Sequence, residues 1–162
     1  MEQKSFTISY QTYPGIADLN PDDQALCEQA TAALNTSYSP YSQFSVGAAV
    51  KLEDGSIVLV SNQENVAYPS GLCAERVVLF GIGASKPTAV IEKMVITART
   101  NNFRIVNPVT SCGACLQVML ECEQRQKKEI EVLFYCIDGE VVKVKGIKSL
   151  LPFAFVEERL GK

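Results

Sequence analysis

The sequence predicts a layered α/β domain built on a mixed β-sheet. Segments with helix-start signals alternate along the chain with short apolar runs, and two Asp-Gly dipeptides each separate a pair of such runs. Helices alternating with strands bury their apolar sides by packing in layers on one sheet. No internal repeat, low-complexity tract or linker divides the 162 residues. The chain is therefore read as one domain, 1–162, with one core, and residues 1–20 as a short N-terminal extension.

The first run, SFTISYQTY at 5–13, alternates in polarity and reads as a short strand or appendage. Asn20-Pro21-Asp22-Asp23 then has the form of a helix start, with Asn as cap, Pro in the first turn and acids toward the positive end. That helix is expected to run to about Asn35, with Ala25, Leu26, Ala30, Ala33 and Leu34 on or near one face. FSVGAAVKL and SIVLVSN flank Asp54-Gly55, a β-hairpin signal. A second helix is expected from about Cys73 through Val77, Val78, Leu79 and Phe80, where glycines would stop it. KMVITAR at 93–99 reads as a buried strand, and a third helix is expected from Cys112, carrying Leu116, Val118, Met119 and Leu120. Strands at about 130–136 and 140–145 flank the second turn, Asp138-Gly139.

Composition narrows the chemistry. Hydrophobic residues make up 47% and charged residues 20%, a globular balance. The net charge of -3 and the lack of a basic run argue against a nucleic-acid partner, whose phosphates need clustered Lys and Arg. No stretch approaches a membrane span, so no membrane partner is expected. The N-terminus lacks the pattern of a secretory signal, which makes cytoplasm the expected compartment and thiols or metal ligands the expected state of the six cysteines. Histidine is absent. That removes imidazole-based nucleophilic mechanisms and His-ligated metal sites, and leaves thiolates and carboxylates to do any metal or acid–base chemistry.

Cys112-Gly113-Ala114-Cys115 puts two thiols at i and i+3 at a helix start, where free backbone N–H groups favour thiolates. Alone this pair fits half a zinc site, a redox couple or two core cysteines equally well. Cys73-Ala74-Glu75-Arg76 supplies a third thiol at another helix start. If the two helix starts meet, three thiolates leave one tetrahedral zinc position open for water, the pattern of a catalytic site. Glu75 would lie beside that water and carry its proton, and Arg76 would offset the thiolate charge. Cys27, Cys122 and Cys136 read as small buried hydrophobes.

With these residues in view, the chain resembles the homotetrameric type of cytidine deaminase, within the zinc-dependent cytidine and deoxycytidylate deaminase superfamily. The likeness spans about residues 22 to 155 and rests on PYSQFSVGAA at 40–49, NQENVAYPSGLCAER at 62–76, SCGACLQ at 111–117 and LLPFAF at 150–155. It implies a three-layer αβα sandwich around a mixed five-stranded sheet, and one Zn2+ per chain held by Cys73, Cys112 and Cys115. It implies Glu75 as the proton shuttle and Arg76 as support behind the metal ligands. Asn62 and Glu64 would bind the sugar hydroxyls and Phe44 would lie against the pyrimidine. Tyr68 and Phe155 would shape the pocket across subunit boundaries of a homotetramer with shared sites. The implied reaction is attack of activated water on C4 of cytidine or deoxycytidine, protonation at N3 and loss of ammonia, a step of pyrimidine salvage.

Two residues depart from the family pattern: Ser111 stands where proline is usual and Leu116 where arginine is frequent, while Gln117 fits. Without the resemblance, Phe44 would be core, Asn62 and Glu64 turn polars, and Tyr68 and Phe155 packing aromatics. Alternative functions are deamination of blasticidin S or a related modified nucleoside, a zinc-stabilised binding module, and a thiol redox protein using Cys112 and Cys115. A nucleic-acid deaminase comes last. The Asn62/Glu64 pair and LLPFAF favour cytidine.

Overall fold

The computed structural model of the chain describes residues 1–157. One mixed sheet organises it, in the order β1-β6-β5-β4-β2-β3. The strands are β1 (Gln11–Tyr13), β2 (Phe44–Leu52), β3 (Ile57–Ser61), β4 (Ile91–Thr100), β5 (Glu131–Tyr135) and β6 (Val141–Lys145), and the helices are α1 (Pro21–Ala33), α2 (Ala74–Ser85) and α3 (Gly113–Gln126). β4 and β5 are parallel, as a connection through a helix requires, and the other neighbours are antiparallel.

The layers follow from the alternation of side chains along the strands. Ala48, Val50, Met94, Ile96, Val132 and Phe134 face α2 and α3, meeting Ala74, Val78, Leu79, Ile82, Met119 and Leu120. Ala49, Val95, Leu133 and Val141 face the other way and bury Leu26, Cys27 and Ala30 of α1. The arrangement is a three-layer αβα sandwich.

The Asn20 side chain caps α1 by accepting the Asp23 N–H at 3.0 Å. Both hairpins form where the Asp-Gly turns stand, and Gly55 takes φ +82°, a conformation that suits glycine. Cys27, Cys122 and Cys136 are buried, as expected of small apolar side chains.

Four expectations are corrected. Among the described residues the sheet has six strands, because residues 11–13 of the N-terminal run pair antiparallel with β6; residues 5–10 of that run are not in the strand. Ala25 is exposed, and the apolar face of α1 runs through Leu26, Cys27, Ala30 and Ala33. Asp23 is fully buried instead of merely facing the positive end of the helix, held by Lys93 at 2.6 Å and Lys143 at 2.8 Å. Finally, α2 does not stop after Phe80: Gly81 and Gly83 lie inside it and it ends at Ser85. Packing of Leu79 and Ile82 into the core outweighs the cost of the glycines, about 1 kcal/mol each.

Candidate active site and metal centre

Two helix starts define the site. Cys73 and Cys112 are the residues capping α2 and α3, both in extended backbone, and neither side chain caps its own helix. Their sulfur atoms are thereby left available. α2 and α3 pack on the same face of the sheet, so the two starts come together. Among the described residues, the sulfurs of Cys73, Cys112 and Cys115 lie within 4.8 Å of one another. Cys112 Sγ and Cys115 Sγ are 3.5 Å apart. Sulfurs at zinc bond lengths around a tetrahedron would stand about 3.8 Å apart, so the donor set fits the ion in number, chemistry and spacing.

Electrostatics favour the charge that a metal would need. The Cys73 thiol is pushed down to about 6 by a hydrogen bond from Cys115 and by Arg76, against its burial. Arg76 Nη2 points at Cys73 Sγ at 3.8 Å. Arg76 Nε is buried without a hydrogen-bond partner. The Cys115 thiol is correspondingly driven up, by its hydrogen bond to Cys73 and by burial. A bound cation would displace the protons that remain on these sulfurs.

Glu75 sits one residue into α2, is 4% exposed, and accepts a hydrogen bond from Ser111 Oγ at 2.7 Å. It lines a cavity of about 700 Å³ together with Cys73, Cys112, Arg76, Phe44, Asn62, Glu64 and Tyr68. Two site expectations fall outside that lining. Cys115 is buried and reaches the cluster through its sulfur. Phe155 is 74% exposed; its backbone is clamped to α3 by Gln117, which accepts from the Phe155 N–H at 3.1 Å and donates to its carbonyl at 2.8 Å.

Each cavity side chain is set by its local structure. Glu64 Oε2 accepts the Tyr41 and Ser42 amides at 2.9 and 3.2 Å. Partial burial works against ionisation, but hydrogen bonds from Ser42 and Tyr41 hold its carboxyl below the usual carboxylate range. Asn62 Oδ1 accepts the Val46 N–H at 2.8 Å and Ser37 Oγ at 2.6 Å, while Nδ2 donates to the Phe44 carbonyl at 3.0 Å. Phe44 stacks on Phe103 at 6.1 Å, and Tyr68 meets Tyr41 edge-on at 5.9 Å.

Ser111, Tyr41, Ser42 and Phe103 were not singled out from sequence as site residues. Tyr41 and Ser42 stand inside the PYSQF segment, which is a usable signal; Phe103 has none. Ser111 was visible only as a departure from a pattern.

The sequence profile of the family described as "Cytidine and deoxycytidylate deaminase zinc-binding region" matches residues 20–129. A cytidine deaminase of Halalkalibacterium halodurans is 36% identical over 140 residues, 86% of this chain and 98% of that protein. One from Sporosarcina psychrophila is 34% identical over 141 residues, 86% and 96% of the two chains. The crystal structure of cytidine deaminase from Burkholderia pseudomallei superposes with a TM-score of 0.69 at 37% identity, covering 81% of this chain and 97% of that one.

Proposed function

The chain belongs to the zinc-binding cytidine and deoxycytidylate deaminase family, and from that membership we propose that it hydrolyses cytidine and deoxycytidine to uridine and deoxyuridine, releasing ammonia. The observation that carries the reading is a cluster of three thiols, two of which line the same cavity as one buried carboxylate.

Cys73, Cys112 and Cys115 hold one zinc ion, with Arg76 against the sulfurs to offset their negative charge. Zinc bound there supplies Lewis acidity and lowers the pKa of a water molecule. Glu75 takes a proton from the water and delivers it to N3 of the pyrimidine as the water oxygen bonds C4. It then takes the proton of the new C4 hydroxyl and gives it to the amine, so that the C4–N bond breaks, C4=O forms and ammonia leaves. Phe44, backed by Phe103, gives the base an apolar wall. Glu64, kept ionised, accepts from sugar hydroxyls, and Asn62 adds the Nδ2 hydrogen not given to Phe44.

The charged residues lining the cavity are Glu64, Glu75 and Arg76, and Arg76 is engaged with Cys73. A 5′-phosphate would find no free cation among these, which favours the nucleoside over deoxycytidylate. Tyr68 is exposed, and Phe155 is exposed away from its own cavity. Both features support assembly of a homotetramer in which neighbouring chains complete one another's sites. The reading also takes residues 1–162 as one deaminase domain with 1–20 as an extension. It sets the enzyme in cytoplasmic pyrimidine salvage.

Ultraviolet absorbance of cytidine, deoxycytidine and deoxycytidylate with purified protein tests the reading. Both nucleosides are expected to be converted and the nucleotide spared. Glu75→Ala is expected to retain zinc and lose at least about 100-fold in kcat. Zinc-loaded protein that leaves both nucleosides untouched would refute the substrate assignment.

A further inference from the structure

We propose that Ser111 is a positioning residue for Glu75: its hydroxyl holds one carboxylate oxygen, so that the other oxygen handles the proton. The proposal rests on the deaminase reading above. Ser111 Oγ lies 2.7 Å from Glu75 Oε1, with Ser111 9% exposed and Glu75 4%. Ser111 immediately precedes Cys112 and Glu75 is two residues after Cys73, so the bond also links the two halves of the cysteine cluster.

A glutamate side chain has several rotatable bonds and two equivalent oxygens, whereas proton transfer requires one oxygen held within reach of the reacting atoms. Among the described residues the Ser111 hydroxyl makes the hydrogen bond to this carboxylate, a charge-assisted one. Oε1 goes on accepting it whether Glu75 is ionised or carries a proton on Oε2. The shuttle step is then confined to Oε2: a water O–H bond breaks as Oε2–H forms, and Oε2–H breaks as the pyrimidine N3–H forms. Ser111 itself does not line the cavity. Its loss should therefore weaken turnover and not substrate binding.

The test compares zinc-loaded wild type with Ser111→Ala, Ser111→Thr, Glu75→Ala and the Ser111→Ala/Glu75→Ala double variant. Ser111→Ala is expected to lower kcat about 10- to 100-fold, what a charge-assisted hydrogen bond of ordinary strength converts to. KM and zinc per chain should stay at wild-type values, Ser111→Thr should restore most of the rate, and Ser111→Ala should add nothing once Glu75 is alanine. Wild-type kcat in Ser111→Ala overturns the proposal. So does a matching loss of zinc, or a rate loss that persists without Glu75, since either makes Ser111 a general support. If wild type deaminates no cytidine, the functional reading fails on its own. The infrared carboxylate band isolated by difference against Glu75→Gln then decides: a band that moves in Ser111→Ala upholds the positioning bond, and an unmoved band overturns it.

Discussion

Asn62 carries two tasks that a sequence cannot display together. The family resemblance assigns it to the sugar, yet its side chain also satisfies the Val46 N–H and the Phe44 carbonyl at the start of β2. It thereby fixes the strand that carries Phe44 into the same cavity. Asn62→Ala strands both backbone groups in a part-buried position, and is expected to cost about 1–3 kcal/mol in urea unfolding as well as raising KM. Unchanged stability would mean that water replaces the side chain without loss. Arg76 is a similar case. It was legible as a cation beside a ligand cysteine, but not its aim at Cys73 Sγ, 3.8 Å away. Arg76→Gln keeps a polar end without the charge. Zinc affinity in chelator competition is expected to fall about 10- to 100-fold, the usual effect of losing a group that supports a metal ligand. Equal affinity would assign charge compensation to the helix starts alone.

At the scale of elements, most of the fold was legible because its signals are local: the Asn20 cap, the two Asp-Gly turns and the apolar runs all lie where the elements form. The failures are where tertiary packing overrides local preference, as with the glycines inside α2. Gly47 has the opposite character, reading as a neutral member of an apolar run. A Cβ built there would collide with the Ala30 carbonyl oxygen and stand 3.1 Å from the Leu34 amide, so β2 and α1 touch through their backbones. Gly47→Ala must push α1 away and is expected to destabilise by about 1–3 kcal/mol or more in thermal or urea unfolding. A variant as stable as wild type would show that α1 can retreat freely. The N-terminal strand gives a gentler expectation. β1 covers the outer edge of β6 with Gln11–Tyr13, and deleting residues 1–13 exposes that edge to pairing with other chains. Light scattering should show increased association, while zinc content stays at wild type, because β1 and the cysteine cluster stand on different elements. Loss of zinc on truncation would contradict this separation.

At the scale of the whole molecule, the sequence offered helices, strands and a candidate ligand set but no strand order. Sheet order depends on which distant faces meet, and single-chain patterning carries little of that information. The same limit hid the charge network on the α1 side of the sheet. Asp23 looked like a helix-start acid, yet it is fully buried between Lys93 and Lys143, lysines contributed by β4 and β6, with Glu131 at 3.3 and 3.0 Å from the same two lysines. Burial pushes the Asp23 carboxyl up, but hydrogen bonds and charge from Lys143 and Lys93 outweigh it and hold the group below its ordinary value. Burial pulls the two lysines down, and their acidic partners raise them above theirs. The signs then follow from linkage. A depressed carboxyl contributes stability that is fully present above its unfolded pKa, about 4, and is lost as pH falls through the lower folded value. Raised lysines contribute stability present below their unfolded pKa, about 10.4, and lost as pH rises through the folded values. With no histidine in the chain, no imidazole steps into the range between. Asp23→Asn keeps the shape and removes the charge. At neutral pH it should cost less than the roughly 3–5 kcal/mol of an unpaired buried charge, since Glu131 remains beside both lysines. The decisive quantity is the difference between wild-type and variant unfolding free energies, measured from pH 7 down to pH 3, in which effects common to both proteins cancel. That difference should shrink as Asp23 is protonated in the wild type. A constant difference across the range would mean that the lysines do not act on Asp23 through its charge, and that its contribution is packing and neutral hydrogen bonding.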